Sequence, residues 1–289
     1  MPLEKKVLDI DAMHKLALDI KKSGSAADVT KGLEYALQFY DTINFEFSYE
    51  RAFLRARLTE NAEPWKSTSE LYYPPARLVK AGRLNDAGEP FLYMSMTLDT
   101  ALSEVNAKEG DTVQISAYRT KENKKLRVGM IGEKFRVAKG GGHFLQGKNA
   151  EPITNLINRL DALSTQLSRA YLYPDLFFDE ILTDKNAAEN KYLHSRILAK
   201  LILNKNKDID GLLYHSVLNE GSKNIALPAS KADELIGLEH TILVKIKKAY
   251  PYGLFLTEQI NRCFSTELSK KTVLSNRRIT LNFLNIGGI

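Results

Sequence analysis

The amino-acid sequence predicts an α+β fold, because helical and strand-like patterns occupy separate blocks of its 289 residues. Apolar residues recur at helical spacing in residues 1–45, short strand-like runs begin at residue 52, and strong helical patterns cover residues 153–172 and 187–203. Hydrophobic residues make up 44% and charged residues 26% of the chain, as in ordinary globular proteins. A chain of this length can bury one large core, with or without a smaller appended unit.

The N-terminal region is predicted to form two helices. Apolar residues from Val7 to Ile20 recur at helical spacing, and the polar sequence KSGS at residues 22–25 interrupts the pattern. The second helix is predicted from Ala27 to Ile43. Nothing in these residues suggests chemistry, so residues 1–45 are predicted to be a packing or partner-binding extension of a main domain at residues 46–289.

Short strands dominate the main domain in the prediction. Residues 59–78 contain three prolines and are predicted to be a loop, and the glycines at residues 140–142 form another loop without phosphate-binding spacing. The predicted strands cover residues 53–58, 91–96, 112–118, 125–131, 211–216 and 241–246.

Several classes of protein are disfavoured by the sequence. No apolar run approaches the roughly 20 residues of a membrane helix, and acidic residues interrupt the apolar start, which is unlike a signal peptide. The single cysteine, Cys263, excludes an internal disulfide and a thiolate-rich metal site. The five histidines lack metal-ligand spacing, so no metal is predicted. The other observations predict a cytoplasmic, non-membrane protein.

Positive charge is concentrated at the C-terminal end. Residues 240–289 contain eight Lys/Arg and two Asp/Glu, which accounts for the whole net charge of +6. The segment could be a solvated face of terminal strands or an anion-attracting surface for nucleic acid, a nucleotide or an acidic protein. Its basic residues form short pairs and no long tract, which favours the solvated face and disfavours direct nucleic-acid binding.

The candidate site begins in residues 81–104. A tight turn is predicted at residues 85–88, then a buried strand, then a helix capped by Thr97 or Asp99. The segment places Arg83, Asn85, Tyr93 and Glu104 around this turn, strand and helix. Of these, Arg83, Tyr93 and Glu104 could all face one cleft, which would suit an anionic ligand that carries a ring.

Each of these side chains also has an ordinary structural interpretation. Arg83 could bind phosphate through its fork of donors or brace carbonyls of the turn. Asn85 is favoured as a turn former, and Tyr93 could be a core tyrosine with a satisfied hydroxyl. Glu104 could form a surface ion pair with Lys108 at i+4.

These motifs resemble those of the RES domain family, which is named for its arginine, glutamate and serine. The family pattern has an aromatic residue before an arginine, then G-R-x-N-x-x-G, L-Y and A-x-x-E, and later G-I-x-Y-x-S followed by glycine and asparagine. The matched core spans residues 51–228. In order, this chain has FLRAR at 53–57, GRLNDAG at 82–88, LY at 92–93, ALSE at 101–104, GLLYHS at 211–216 and GSKNIAL at 221–227.

The resemblance implies a fold similar to ADP-ribosyltransferase toxins, with a split antiparallel sheet that forms an NAD cleft. It also implies an NAD glycohydrolase or NAD phosphorylase, which cleaves the nicotinamide–ribose bond with water or phosphate as acceptor. Such enzymes are toxins of bacterial toxin–antitoxin pairs, so a cognate antitoxin is expected to cover the cleft. The alternatives are a mono-ADP-ribosyltransferase that modifies a protein and a non-catalytic binding module.

The resemblance also implies roles for individual residues. Glu104 would stabilise positive charge on the ribose, and Arg55 is preferred to Arg57 for contact with a phosphate or ribose. Ser216 lacks an Asp–His pair to activate it, so it would donate a hydrogen bond to substrate instead of acting as a nucleophile. The predicted catalytic residues are Glu104, Arg55 and Ser216, and the predicted cofactor-binding residues are Arg57, Arg83, Tyr93, Asn85 and Asn224.

Two further residues are expected to lie outside the cleft. His215 precedes Ser216 in a strand and must therefore point to the opposite face. Tyr192 lies in the helical pattern before that strand and is predicted to have only a packing role.

Overall fold

The computed structural model describes residues 7–47, 51–60, 63–65, 67–141, 144–264 and 275–276. The helices are α1 (Ile10–Lys22), α2 (Ala26–Leu37), α3 (Thr68–Leu71), α4 (Leu98–Glu104), α5 (Glu133–Ala138), α6 (Glu151–Leu163), α7 (Thr165–Thr183), α8 (Leu193–Lys205) and α9 (Ala229–Leu235). The strands are β1 (Ile43–Phe47), β2 (Phe53–Leu58), β3 (Phe91–Ser95), β4 (Thr112–Thr120), β5 (Leu126–Met130), β6 (Gly211–His215), β7 (Lys223–Pro228), β8 (Ile236–Tyr250), β9 (Leu254–Phe264) and β10 (Ser275–Asn276).

The strands form one mixed sheet in the order β1-β5-β6-β7-β3-β2-β4-β8-β9-β10. All neighbouring strands are antiparallel except β5 and β6. One residue pair, Leu54 with Ser95, joins β2 to β3, whereas five pairs join β3 to β7 and six join β2 to β4. The sheet therefore consists of two five-stranded halves with a narrow junction, and the predicted α+β class is confirmed.

Strand β6 separates two of the hydrophobic clusters. Its residues Leu212 and Tyr214 belong to a cluster with α1, α2, α7 and α8, whereas Leu213 belongs to a cluster with β3, β5 and α9. Successive residues of a strand point to opposite faces, which explains this alternation. The two N-terminal helices thus share their hydrophobic core with helices of the main domain.

The six predicted strands are found close to their predicted positions, whereas β1, β7, β9 and β10 were not predicted. Strand β2 has the predicted bounds, and β3, β4, β5 and β6 differ from theirs by one or two residues. Strand β8 is longer than predicted because it continues into a hairpin with β9. The predicted loop at residues 59–78 contains the short helix α3.

Helix boundaries differ more from the prediction. Helix α2 ends at Leu37, because Ile43 already begins β1 and pairs with Met130 of β5. The helix predicted over residues 153–172 is interrupted at Ser164, whose extended backbone separates α6 from α7.

The helix predicted from residue 187 begins only at Leu193. Residues 184–192 form a compact loop, in which the backbones of Lys191 and Tyr192 are left-handed, with φ of 54° and 58°. This loop contributes to the site described below.

The basic C-terminal segment is described only in part. Lys245, Lys247 and Lys248 are exposed on β8, and Lys247 forms an ion pair with Glu258 at 3.0 Å. The pairs at 270–271 and 277–278 lie outside the described residues. Across the described part of the chain, the helices are all too short or too polar to cross a membrane.

Candidate active site

A cavity of about 450 Å³ lies at the junction between the two halves of the sheet. Leu54 and Arg55 of β2 form one side, and Tyr93 and Ser95 of β3 form the other. The cavity is therefore located where only one residue pair connects β2 and β3. Residues of α4, β6, β7 and the 184–192 loop also line it, together with Arg83, Val217 and Leu218.

Glu104 is the carboxylate of this cavity. It is the last residue of α4, a helix that begins at the cap formed by the Thr97 hydroxyl, which accepts from the backbone N–H of Thr100 at 3.3 Å. Its Oε1 accepts hydrogen bonds from the Ser216 hydroxyl at 2.8 Å and from Nδ2 of Asn224 at 2.6 Å. Both donors fix the orientation of the carboxylate in the cavity.

The same carboxylate is part of a longer chain of polar side chains. The buried Ser95 hydroxyl donates to Oδ1 of Asn224 at 2.7 Å, and Asn224 in turn donates to Glu104. Oε2 of Glu104 accepts no hydrogen bond from the described residues, and the ion pair with Lys108 is not formed among them. One carboxylate oxygen is thus anchored while the other stays available to a ligand.

Ser216 and Asn224 both contact Glu104, but only Asn224 lines the cavity. Ser216 is buried, is not part of the cavity wall, and accepts the backbone N–H groups of Leu218 and Asn219 while its hydroxyl donates to Glu104. Asn224 lies in β7 and lines the cavity, so its predicted role in cofactor binding stays a prediction. In this structure both residues position Glu104.

Arg83 lines the cavity and also braces the chain around it. Its Nη1 donates to the carbonyl oxygens of Leu182 at 2.8 Å and Asp184 at 3.0 Å. The guanidinium carbon lies 5.5 Å from the ring centroid of Tyr192, which also lines the cavity. Tyr192 therefore has more than the packing role that was predicted.

Tyr93 contributes its ring to the cavity and its hydroxyl to the preceding turn. The hydroxyl donates to Oδ1 of Asn85 at 2.7 Å and accepts the backbone N–H of Leu84 at 3.0 Å. Burial raises the pKa of the Tyr93 hydroxyl, which therefore stays protonated. The ring orientation is set by this turn.

Asn85 does not belong to the cavity. It is 4% exposed, and its Nδ2 donates to the carbonyl oxygens of Lys80 and Asp86. This geometry gives no support to its predicted role in cofactor binding and favours the alternative of a turn former. The amide supports the site indirectly, because it holds the Tyr93 hydroxyl.

Gly82 is required by the close contact between this turn and Tyr93. A Cβ atom at residue 82 would lie 2.5 Å from Oδ1 of Asn85 and 3.2 Å from the Tyr93 hydroxyl. We expect Gly82→Ala to cost about 1–3 kcal/mol in the free energy of unfolding, because the Asn85–Tyr93 hydrogen bond must shift. Urea unfolding should show this loss, whereas Gly24→Ala, where a Cβ meets no atom within 4 Å, should cost much less.

The two strand arginines have different environments. Arg55 lines the cavity, donates to the carbonyl oxygen of Tyr72, and has its pKa lowered by burial. Arg57 donates to the carbonyl oxygen of Glu70, and its guanidinium stacks 3.9 Å from the Trp65 ring centroid, away from the cavity wall. The preference for Arg55 agrees with this geometry, and the structure gives no support to cofactor binding by Arg57.

His215 points away from the cavity, as predicted. Its Nδ1 lies 2.7 Å from Oδ1 of Asp179, which also forms an ion pair with Arg136 at 3.1 Å. The neighbouring Tyr214 faces the cavity instead, and burial raises the pKa of its hydroxyl. Three further polar residues of the wall were not predicted from the sequence: Ser95, Lys185 and Tyr214.

The comparison with known families agrees with the motifs and the geometry. The RES domain model matches residues 55–245, which is more than half of the chain and includes every residue named at the cavity except Leu54. No protein of curated function matches the chain. The extent of the family match shows that this protein belongs to the RES domain family.

Proposed function

We propose that the protein degrades NAD by cleaving the bond between nicotinamide and ribose. The observation that carries this proposal is the carboxylate of Glu104, which Ser216 and Asn224 orient toward a cavity that also contains Arg55 and Arg83. A fixed negative charge beside two cations and aromatic rings suits a substrate with a diphosphate and a cationic ring. Membership of the RES family supports the same substrate.

The chemistry requires little more than charge stabilisation. When the C1′–N bond breaks, its electron pair moves to the pyridinium nitrogen and nicotinamide leaves as a neutral molecule. The ribose that remains has oxocarbenium character, which a nearby carboxylate stabilises. The free Oε2 of Glu104 is the atom we assign to this role. Water, losing a proton, or phosphate then attacks C1′ and gives ADP-ribose or its 1-phosphate.

The remaining residues of the wall would bind the substrate. Arg55 and Arg83 would face the diphosphate, because guanidinium groups match phosphate oxygens. The ring of Tyr93 would contact the leaving nicotinamide while its hydroxyl stays bonded to the turn. Ser216 would act through Glu104 and not through direct contact with substrate.

The wider assignment rests on the family. We propose that the two half-sheets form a cleft similar to that of ADP-ribosyltransferase toxins, which the single β2–β3 residue pair at the cavity supports. The protein would then be the toxin of a toxin–antitoxin pair, acting on cytoplasmic NAD until a cognate antitoxin protein covers the cleft.

Nicotinamide release tests the proposal directly. Purified protein is incubated with NAD, with and without inorganic phosphate, and the products are separated by chromatography. We expect free nicotinamide together with ADP-ribose, or with ADP-ribose 1-phosphate if phosphate is the acceptor. Absence of release would contradict the proposal, and label from the ADP-ribose part of NAD on a protein would indicate a transferase instead.

A further inference from the structure

The loop between α7 and α8 forms one wall of the cavity, to which it contributes Lys185 and Tyr192. Hydrogen bonds within residues 184–192 make it compact, including one from the backbone N–H of Tyr192 to the carbonyl of Ala187 at 2.7 Å. Left-handed backbone at Lys191 and Tyr192 is uncommon for such residues and needs support from the surrounding structure.

Arg83, which also lines the cavity, provides that support. It donates to the carbonyl oxygens of Leu182 and Asp184, which lie immediately before Lys185. It also lies beneath the ring of Tyr192, at the other end of the loop. One guanidinium thus holds both ends of the loop in place.

Three cationic side chains line the cavity, and they differ in the hydrogen bonds that they already make to the protein. Arg55 donates to the carbonyl of Tyr72, and Arg83 donates to two carbonyls of the loop. Lys185 is exposed at the cavity and makes no hydrogen bond or ion pair with the described residues. An ammonium group is a compact charge that binds phosphate well. The ammonium group of Lys185 can do so without first breaking a hydrogen bond to the protein.

We infer that Lys185 binds a phosphate of the substrate's diphosphate, from a loop that Arg83 and Tyr192 hold over the cavity. This inference rests on the proposed function, because it takes NAD as the substrate. The contact forms with the non-reacting part of the substrate, so it contributes equally to the bound ground state and the transition state. Loss of this contact should therefore raise KM for NAD and leave kcat nearly unchanged.

Lys185→Ala is the test, and Lys191→Ala is the matched control, since it removes the same charge from the same loop at a residue outside the cavity wall. We expect Lys185→Ala to raise KM for NAD by roughly 10-fold or more, as for loss of a hydrogen bond to a charged group. Nicotinamide riboside, which lacks phosphate, should be cleaved by wild type and Lys185→Ala with equal kcat/KM. Lys185→Arg should restore most of the affinity for NAD.

Binding of ADP-ribose, measured by calorimetry on the same proteins, separates this inference from the proposed function. If wild type releases no nicotinamide but binds ADP-ribose in a Lys185-dependent manner, the proposed function fails and the phosphate contact stands. If NAD is cleaved but Lys185→Ala behaves like Lys191→Ala, the contact is refuted and the function stands. Equal losses of kcat/KM for NAD and for the riboside would also refute the contact.

Discussion

Glu104→Gln is expected to retain NAD binding and to lose turnover by about 10²–10³-fold in kcat. The amide oxygen of glutamine can still accept the hydrogen bonds of Ser216 and Asn224, so the side chain should keep its position. What disappears is the negative charge opposite the developing ribosyl cation. Because that charge matters most in the transition state, kcat should fall while the affinity for substrate changes little.

Two measurements together distinguish a loss of turnover from a loss of substrate binding. Nicotinamide release gives kcat, and calorimetry with NAD on the slow variant gives the dissociation constant. Glu109→Gln is the matched control, because Glu109 is an exposed residue five positions later that does not line the cavity. Equal losses of binding and turnover in Glu104→Gln, or unchanged turnover, would contradict the assigned role.

Local sequence patterns predict the part of the site that is built locally. The turn, strand β3 and helix α4 lie within 24 residues, and their glycine, apolar and capping residues indicate each element. Arg83, Tyr93 and Glu104 are thereby placed at one cavity. Alternation along a strand also predicts the face to which each residue of β2 points, and it places Arg55 and Arg57 on the same face.

The errors arise where distant segments decide the outcome. Arg57 shares a face with Arg55, but Trp65, in a segment predicted as loop, stacks on its guanidinium. Ser95 contributes to the site only because β3 pairs with β7, which places it opposite Asn224, 129 residues later in the chain. No periodicity within β3 or β7 reports such a pairing.

The helix predicted from residue 187 shows the same limitation. The sequence from 187 onward has good helical spacing, yet the helix begins at Leu193 after a left-handed Tyr192. Arg83, more than 100 residues earlier, holds the backbone at 182–184 and the ring of Tyr192. A tertiary contact thus overrides local propensity at the loop that carries Lys185.

A buried ion pair on the face of the sheet opposite the site was also not predicted from the sequence. The side chains of Glu133 and Lys223 are 0% and 6% exposed, and Lys223 Nζ donates to Oε2 of Glu133 at 2.6 Å. Burial would raise the pKa of the Glu133 carboxyl, but Lys223 and the backbone N–H groups of Phe144 and Leu145 outweigh it and hold the pKa below its ordinary value. The carboxylate is therefore charged in the folded protein at neutral pH.

This ion pair fixes the two strands that position Glu104. Lys223 precedes Asn224 in β7 and pairs with His215 of β6, the residue before Ser216. Alternation directs Lys223 and His215 to one face of the sheet and Asn224 to the other. The charged contacts on one face of the sheet thus help to hold Ser216 and Asn224 in position beside the Glu104 carboxylate on the other face.

Lys223→Met is therefore expected to cost about 3–5 kcal/mol in the free energy of unfolding, because it leaves the Glu133 carboxylate charged, buried and without its main partner. Urea unfolding at neutral pH measures the loss. The matched control is Lys231→Met, which breaks a 2.8 Å ion pair with Asp210 at a lysine that is 40% exposed, and which should cost about 1 kcal/mol or less.

The double variant Glu133→Gln with Lys223→Met distinguishes an unpaired charge from lost packing. Glutamine can still accept the backbone N–H groups of Phe144 and Leu145, so neutralising the carboxylate should recover most of the stability that Lys223→Met loses. If the double variant is no more stable than Lys223→Met alone, packing around the lysine stem, and not the buried carboxylate, makes Lys223 necessary.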